Sequence, residues 1–370
     1  MTDTPITDLS VSVYTVPTDA PEADGTAAWS STTMVLLRVR AGGREGLGWT
    51  YGPAACAAVV HETLAGCVIG RDAMDIGGCF AAMLAAVRNQ GASGVCGYAI
   101  SAVDIALWDL KARLLGLPLH RLLGAVRDSA PVYGSGGFTT YDAGRLRGQL
   151  DGWVAGEGIP RVKIKIGESW GTRPDRDLER IGQARAAIGD TAELFVDANG
   201  GYTAKQAIRI AGAARDAGVV WLEEPVSSDD LRGLAQVRAA VDADVAAGEY
   251  GWGPGYFRRM CAAGAVDCLQ ADATRCGGIT GWTRAAVVAQ AHGLELSGHC
   301  APHAHVQAAV SIPNLRHLEW FHDHVRIEDL FFDGTLPPTG GQLRPDPDAP
   351  GLGLVFREAD ARPYEVGAPG

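Results

Sequence analysis

Residues 297–305, Ser-Gly-His-Cys-Ala-Pro-His-Ala-His, place three histidines and one cysteine in a single short stretch. Imidazole nitrogen and thiolate sulfur are ligands that zinc prefers in proteins. One histidine with a carboxylate partner would instead serve as a general acid or base. The stretch alone is compatible with both chemistries, so the choice depends on the elements that position it.

Short apolar segments with the pattern of β-strands recur over residues 126–330, and Ala-rich helical patterns alternate with them. The predicted strands end near Tyr133, Lys165, Asp197, Glu223, Gly248, Ala271, Ser297 and Glu319. Eight strands alternating with helices over about 200 residues predict a parallel β/α barrel. A doubly wound sheet is the second interpretation, but no Gly-rich dinucleotide motif follows a first strand.

Ionisable residues stand at the carboxyl ends of these strands, where the active sites of β/α barrels lie. In chain order they are Lys163, Lys165, Asp197, Glu223, Glu249, Asp272, His299 and Glu319. A pair of cations, three carboxylates, and then an acid, a histidine and an acid form an ordered set. Such an order is not typical of solvated loops, so we expect these side chains to share one site.

The segment before the barrel has a different organisation. Residues 8–15 and 33–40 are predicted strands, and the polar residues 17–32 between them are predicted to form a mobile loop. Apolar residues at helical spacing predict a helix over residues 97–115, which Gly116 and Pro118 end. We therefore expect an α+β capping domain over residues 1–125, a barrel over 126–330, and a tail over 331–370 that packs back on the capping domain.

Composition limits the functions that are plausible for this chain. Its 370 residues are 47% hydrophobic and 20% charged, which is ordinary for a globular protein, and the net charge is −11. This charge argues against nucleic acid or an anionic membrane as a partner. The first ten residues lack a signal-peptide pattern, and no apolar run approaches the ~18 residues of a membrane span. The eight cysteines form no C-x-x-C pair, so we expect a cytoplasmic protein without disulfides.

The ordered set of strand-end residues resembles that of the enolase superfamily, in its mandelate racemase subgroup. The similarity includes the helix sequence SAVDIALWDLKAR, the K-x-K of "KIK", the D…E…E order and the D…H pair that follows. It extends over nearly the whole chain. The resemblance implies a modified (β/α)7β barrel, a small-molecule carboxylate substrate and, as we expect for such enzymes, a homo-oligomer.

Three carboxylates on adjacent strands, Asp197, Glu223 and Glu249, predict a cation site. Hard oxygen ligands with space for water and substrate suit Mg²⁺ rather than zinc. Glu224 is expected to be turned away from this site by the alternation of side chains along a strand. We therefore predict Mg²⁺ as the cofactor.

Lys163 and Lys165 lie two residues apart on one strand and are expected to face the barrel interior together. Two neighbouring ammonium groups should lower the pKa of at least one of them. The resemblance implies that Lys165 is the base and that Lys163 assists at the substrate carboxylate.

The family pattern also answers the opening question in favour of a single histidine. It pairs His299 with Asp272, and such a carboxylate fixes the tautomer and raises the basicity of the other ring nitrogen. His303 and His305 are expected to be mainly structural, and Cys300 is expected to point away from His299. A zinc site is therefore disfavoured. Glu319 resembles a family carboxylate that hydrogen-bonds the developing enediolate, which would require it to carry or share a proton.

Further polar and aromatic residues are candidates for substrate contacts. Those of the capping domain are Glu22, Asp24, Trp29, Trp49 and Tyr51, and those beyond the last strand are His322, His324 and Arg326. Groups of this kind suit a substrate with several hydroxyls.

The assembled parts predict removal of the proton α to a carboxylate. If His299 then protonates a β-hydroxyl leaving group, the product is a 2-keto-3-deoxy acid and the enzyme is an acid-sugar dehydratase. This is the preferred interpretation. A 2-hydroxyacid racemase or epimerase is the second, and a zinc-dependent barrel hydrolase is the third.

Overall fold

A computed structural model describes residues 4–367, and its first three strands belong to a four-stranded antiparallel sheet. The strands are β1 (Ile6–Ala23), β2 (Ala28–Ala41) and β3 (Arg44–Tyr51). The central residues of β2 are buried on both faces, and Val35, Leu37 and Val39 on one face belong to the apolar core of this domain. Residues 1–3 of the predicted capping domain and residues 368–370 of the predicted tail lie outside the described residues. The expectation about a signal peptide rests in part on those first three residues.

The prediction of a mobile loop over residues 17–32 is wrong. The strands β1 and β2 continue through most of this segment, with Glu22 paired to Trp29 and Ala23 to Ala28. A register shift between Pro17 and Glu22 accommodates the Pro-containing stretch, because proline cannot donate to a ladder and is tolerated at bulges. The segment is therefore the tip of a long hairpin, which we call the cap hairpin (residues 17–32).

Helices follow the sheet: α1 (Ala55–Val59), α2 (Ala65–Val68), α3 (Ile76–Ala86), α4 (Val95–Leu115) and α5 (Leu119–Leu123). The predicted helix corresponds to α4, and Gly116 ends it in the left-handed conformation. The helix lies directly on β3 because a Cβ at Gly48 would stand 2.1 Å from the carbonyl oxygen of Ala102. This contact joins sheet and helix into one α+β unit.

Eight parallel strands form the barrel, as predicted. They are β4 (Ala130–Gly136), β5 (Arg161–Lys165), β6 (Glu193–Asp197), β7 (Val219–Glu223), β8 (Asp244–Ala247), β9 (Cys268–Ala271), β10 (Glu295–Gly298) and β11 (Leu315–Phe321). The sheet closes because β11 pairs with β4, with Glu319 beside Tyr133. The predicted strand ends differ from the observed ones by three residues or fewer.

Helices separate the strands and cover the barrel. They are α6 (Ala143–Asp151), α7 (Glu168–Gly171), α8 (Pro174–Ile188), α9 (Ala204–Ala213), α10 (Leu231–Arg238), α11 (Gly253–Ala262), α12 (Gly278–Ala291), α13 (Pro302–Ala309) and α14 (His322–Phe331). Aromatic rings fill the lower part of the barrel interior, where Tyr133, Phe195 and Trp221 pack around His317. These rings form a floor under the ionisable residues at the strand ends.

The tail contains β12 (Phe332–Asp333), β13 (Gln342–Leu343), β14 (Val355–Phe356), α15 (Glu358–Ala361) and β15 (Glu365–Val366). Its last strand pairs with β1 at Val13 and Val366, while β13 pairs with β4. The tail therefore completes the capping sheet and also contacts the barrel. None of the described helices is long and apolar enough to cross a membrane. All eight cysteines are free, as expected.

Candidate active site

The two lysines of β5 and the acids of the neighbouring strands meet inside the barrel mouth. Lys165 Nζ lies 2.5 Å from Asp197 Oδ2, and Lys163 Nζ lies 2.7 Å from Glu319 Oε1. Lys163 also forms an ion pair with Glu223. Lys163, Asp197, Glu223 and Glu319 are fully buried, so the ion pairs form a network away from bulk water.

The third predicted metal ligand joins this network through a backbone feature. Gly248 follows β8 with φ of 134°, and a Cβ there would stand 2.1 Å from the carbonyl oxygen of Gln270. Only glycine fits this approach, and the bend turns Glu249 toward Asp197 and Glu223. Oxygen atoms of the three carboxylates lie within 4.8 Å of one another.

Glu224 is not turned away from these carboxylates. It is buried in the left-handed conformation directly after β7, where the alternation of the strand has ended. Burial, together with repulsion from Glu249 and Asp197, raises its pKa well above the usual range. Glu224 is therefore a fourth acid at the site.

The expectation of a lowered lysine pKa is wrong for this arrangement. Burial does favour the neutral amine, but the charge of Asp197 outweighs it and raises the pKa of Lys165. Glu223 and Glu319 likewise raise the pKa of Lys163 against the effect of its burial. The lysines thus act as the cations of the network, and their mutual repulsion is the weaker effect.

His299 and Asp272 form the predicted pair. His299 Nδ1 lies 2.9 Å from Asp272 Oδ2, while Asp272 Oδ1 accepts hydrogen bonds from the Thr274 backbone N–H and hydroxyl, both at 2.7 Å. Burial opposes ionisation of Asp272, but the His299 hydrogen bond and Arg275 lower its pKa. Burial favours neutral His299, but Glu249 and Glu319 raise its pKa. The pair fixes the ring with Nε2 directed toward the site.

Cys300 lies beside His299 rather than pointing away from it, contrary to expectation. The chain leaves the extended conformation here, with φ of 51° at Cys300 and 37° at Ala301. The Sγ atom is therefore 3.3 Å from His299 Nε2. His299, Cys300 and Glu319 also offer ligand atoms within 4.8 Å of one another, so a softer metal ion could contact this set.

The surroundings of Glu319 favour its ionised form, whereas its expected role calls for a carried or shared proton. Its Oε1 accepts from Ser135 at 2.6 Å and pairs with Lys163, while its Oε2 accepts from the Cys300 backbone N–H at 2.8 Å. Burial would favour the protonated form, but Lys163 and His299 hold its pKa well below the usual range. In this arrangement Glu319 is an acceptor that stabilises Lys163.

His303 and His305 are structural in the described fold. His303 Nδ1 contacts Glu328 Oε2 at 2.6 Å, and its Nε2 accepts from the Leu336 N–H at 2.9 Å. His305 Nδ1 donates to the carbonyl of Ala301, and its Nε2 accepts from the Ala273 N–H. Because every ring nitrogen is used, these two histidines cannot hold zinc together with His299.

A cavity of about 390 Å³ opens above Lys165, Glu249 and His299, between the barrel and the capping domain. Four of the predicted substrate contacts line it: Asp24, Trp29, Tyr51 and His324. The Tyr51 and His324 rings stack with their centroids 3.4 Å apart. The capping domain therefore supplies one wall of the cavity.

The other predicted contacts do not reach the cavity. Trp49 is fully buried and its Nε1 donates to Glu328, while Arg326 contacts Asp323 and the carbonyl of Pro17. Glu22 accepts a hydrogen bond from Trp29 Nε1, and His322 contacts Asp19. These residues lie behind the cavity wall, and packing between domains directs them there. The sequence shows their polarity but not this direction.

Further cavity residues were missed by the sequence reasoning. They are Ser31, Thr32, Thr33, Gly52, Pro53, Asn199, Tyr250, Arg275, Cys300 and Phe321. Arg275 is the most informative, since it lies 3.3 Å from both Glu249 Oε1 and Asp272 Oδ2. Its position three residues after Asp272 was the available signal, because a turn at the strand end returns such a residue to the site.

Comparison with known proteins decides the family. Residues 9–124 match the model of the mandelate racemase / muconate lactonizing enzyme N-terminal domain, and residues 145–360 match the enolase C-terminal domain-like model. This chain belongs to the mandelate racemase / muconate lactonizing enzyme family. The resemblance inferred from the strand-end residues is thereby confirmed.

Solved structures of the family agree with this fold. A mandelate racemase/muconate lactonizing enzyme-like protein from Rubrobacter xylanophilus is 52% identical, with a TM-score of 0.94 over 98% of this chain and 100% of that one. L-talarate/galactarate dehydratase from Salmonella typhimurium, solved with Mg and L-lyxarohydroxamate, is 30% identical with a TM-score of 0.90, covering 99% and 94%.

Sequence comparison adds two family members with named activities. The Salmonella dehydratase is 33% identical over 318 residues, which are 81% of this chain and 77% of that protein. The 3,6-anhydro-alpha-L-galactonate cycloisomerase of Streptomyces coelicolor is 32% identical over 356 residues, covering 93% and 95%. Members similar to this chain therefore include both a dehydratase and a cycloisomerase that act on sugar acids.

Proposed function

We propose that this protein is a Mg²⁺-dependent acid-sugar dehydratase that converts an aldonate or aldarate to a 2-keto-3-deoxy acid. The observation that carries the proposal is the convergence of two proton-transfer groups on one cavity. Lys165 and His299 both line this cavity, and His299 is hydrogen-bonded to Asp272. Glu249 of the carboxylate cluster lines the same cavity. Such a pair can remove one proton and deliver another.

The residues at the strand ends fit the metal. Asp197, Glu223 and Glu249 are buried oxygen donors within 4.8 Å of one another. Glu249 Oε2 lies 3.3 Å from His299 Nε2 but makes no hydrogen bond among the described residues. Three buried carboxylates repel each other unless cations balance them, and hard oxygen donors suit Mg²⁺. When bound there, Mg²⁺ would supply positive charge to the substrate carboxylate and so make the α-proton more acidic. The dehydratase of Salmonella was solved with Mg, which supports the assignment.

Lys165 is the proposed base for the α-proton. It can accept a proton only when another cation neutralises Asp197, since that carboxylate otherwise stabilises the ammonium form. Lys163 stays charged between Glu223 and Glu319, where it stabilises the negative charge that develops on the substrate carboxylate. The two lysines thus have separate roles although they share a strand.

His299 is the proposed general acid for the β-hydroxyl group. Asp272 holds the Nδ1 side of the ring, so Nε2 remains for the substrate. Hydroxide is a poor leaving group, and protonation by His299 lets it depart as water. Ser31 also lines the cavity, and its hydroxyl is a candidate contact for the remaining hydroxyls of a sugar acid.

The test is a panel of aldonates and aldarates incubated with the protein and Mg²⁺. Formation of 2-keto acid is scored with semicarbazide, and inversion at the α-carbon is scored by NMR. Glu223→Gln and His299→Asn are the control variants, and both should be inactive. Keto acid from at least one sugar acid supports the proposal, whereas its absence across the panel refutes it.

An isomerase is the second candidate function. The Streptomyces cycloisomerase covers nearly the whole length of this chain, and the same pair of proton-transfer groups can return a proton to carbon instead of expelling water. Isomerised product without keto acid from any member of the panel would favour this candidate. The expected homo-oligomer stays a prediction.

A further inference from the structure

Two acids of the cap hairpin and one histidine of the barrel form a cluster outside the catalytic cavity. Asp19 and Glu22 lie on β1, and His322 is the first residue of α14. Each offers a ligand atom within 4.8 Å of the others, and His322 Nε2 is 3.2 Å from Asp19 Oδ2. We call these three residues the hairpin cluster.

The buried carboxylate of Glu22 is a second, independent observation that points to a ligand at the hairpin cluster. Glu22 is 1% exposed, and its Oε1 has no hydrogen-bond partner within residues 4–367, although Oε2 accepts from Trp29 Nε1 at 2.8 Å. A buried carboxylate oxygen without a partner is unusual in folded proteins. A cation beside Asp19 and His322 would satisfy it.

The two nearby guanidinium groups, those of Arg145 and Arg326, bind other acids and not Glu22. Arg145 binds Asp19 Oδ1 at 2.8 Å and lies over the Tyr141 ring, while Arg326 binds Asp323 Oδ1 at 2.5 Å. Asp323 also accepts a hydrogen bond from the Thr32 hydroxyl. Each arginine is therefore paired with an aspartate rather than with Glu22.

We propose that the hairpin cluster is a second metal site, which binds a divalent transition ion such as Mn²⁺ through His322 Nε2 and one oxygen each from Asp19 and Glu22. One imidazole and two carboxylates suit ions of this group. Donor atoms on one ion lie about 3 to 3.5 Å apart, so the 3.2 Å between Asp19 and His322 already fits. Asp19 and His322 are partly exposed, which leaves room for water at the other positions.

The site would fasten the cap hairpin to the barrel. Two ligands come from the cap hairpin, and the third comes from α14. This helix directly follows β11, the strand that contains Glu319. Glu22 also holds the indole of Trp29, whose ring lines the catalytic cavity and packs on Phe138 with centroids 5.5 Å apart. Occupancy would therefore fix the cavity wall without contacting the substrate.

The experiment counts Mn²⁺ bound to the metal-free, full-length protein, with free Mn²⁺ measured by electron paramagnetic resonance. We expect two equivalents in the wild type, one at the proposed catalytic carboxylates and one at the hairpin cluster. Glu22→Gln and His322→Asn should each bind one. Glu223→Gln should also bind one, and its double variant with Glu22→Gln should bind none.

Asp75→Asn is the matched control and should bind two equivalents, because Asp75 is an exposed acid that belongs to neither cluster. Asn can keep the hydrogen bond that the Gly78 N–H donates to this side chain at the start of α3. Circular dichroism verifies folding of each variant, and the partly exposed His322 gives the answer if Glu22→Gln does not fold. Equal Mn²⁺ counts in wild type, Glu22→Gln and His322→Asn would overturn the proposal. Loss of Mn²⁺ in Glu22→Gln with none lost in Glu223→Gln would support it while refuting the catalytic metal site.

Discussion

Replacing Asp272 by Asn should remove the proton-transfer function of His299 while leaving the fold intact. Asp272 Oδ1 accepts two hydrogen bonds from Thr274, so the carbonyl oxygen of Asn must take that position. The amide group then faces His299 Nδ1 and donates to it, which forces the proton onto Nε2. The ring is therefore held as the neutral tautomer with its proton on Nε2. It also loses the negative charge of Asp272, which stabilises the protonated ring that a general acid requires.

The size of the effect follows from the chemistry that is lost. A positioned general acid or base contributes about 10²- to 10⁴-fold, which corresponds to about 3–5 kcal/mol of activation free energy. We therefore expect kcat for keto-acid formation to fall by about that factor, measured with semicarbazide across a range of pH. Exchange of the α-proton with deuterated solvent should persist through Lys165. If kcat for keto-acid formation by Asp272→Asn stayed within a few fold of wild type at any pH in this range, the reasoning would be refuted. Asp75→Asn, which makes the same acid-to-amide change elsewhere, is the control.

Five further variants test the cavity, the core and the metal site. Trp29→Ala should alter the ratio of kcat/KM between sugar acids in steady-state assays, whereas Trp49→Ala, outside the cavity, should lower the free energy of unfolding in urea by about 3–5 kcal/mol. Burial raises the pKa of Asp104 to about 7 from 3.8, so the stability that its protonated form contributes is lost as pH rises through 7. Asp104→Asn should accordingly gain up to about 4 kcal/mol relative to wild type between acid and alkaline pH, measured by urea denaturation, and an unchanged difference would contradict this. His303→Ala should cost about 1–3 kcal/mol of stability because it removes a hydrogen bond to the buried carboxylate of Glu328, yet elemental analysis should show no loss of metal. Glu223→Gln should bind no Mg²⁺ in calorimetry and should be inactive, with an unchanged far-ultraviolet dichroism spectrum; retained Mg²⁺ binding would exclude it as a ligand.

The barrel and the residues at its mouth could be predicted from the sequence because one periodicity controls both. Strands that are buried on both faces must be apolar, so an ionisable residue at the end of such a strand is conspicuous. Asp197 and Glu223 are the last residues of β6 and β7, and their strand register places them side by side. Alternation along β5 likewise brings Lys163 and Lys165 to the same side.

Where the chain leaves the strand, this reasoning fails. Cys300 and Glu224 adopt left-handed backbone conformations, so alternation no longer gives the direction of their side chains. The pKa shifts of the lysines depend on distances to acids on other strands, which no local pattern contains. The cap hairpin has the polarity and the Pro and Gly content of a loop, but pairing across its two arms outweighs those local preferences.

The pairing of β15 with β1 has a consequence for how the protein is made. Val13 emerges from the ribosome long before its partner Val366. Until then the outer edge of β1 has unpaired backbone groups, which favour association with other chains. Charged side chains near this edge, such as Asp8 with its partner Arg40, would oppose such association. Synthesis of β15, rather than folding of the barrel, is therefore the step that allows this sheet to close.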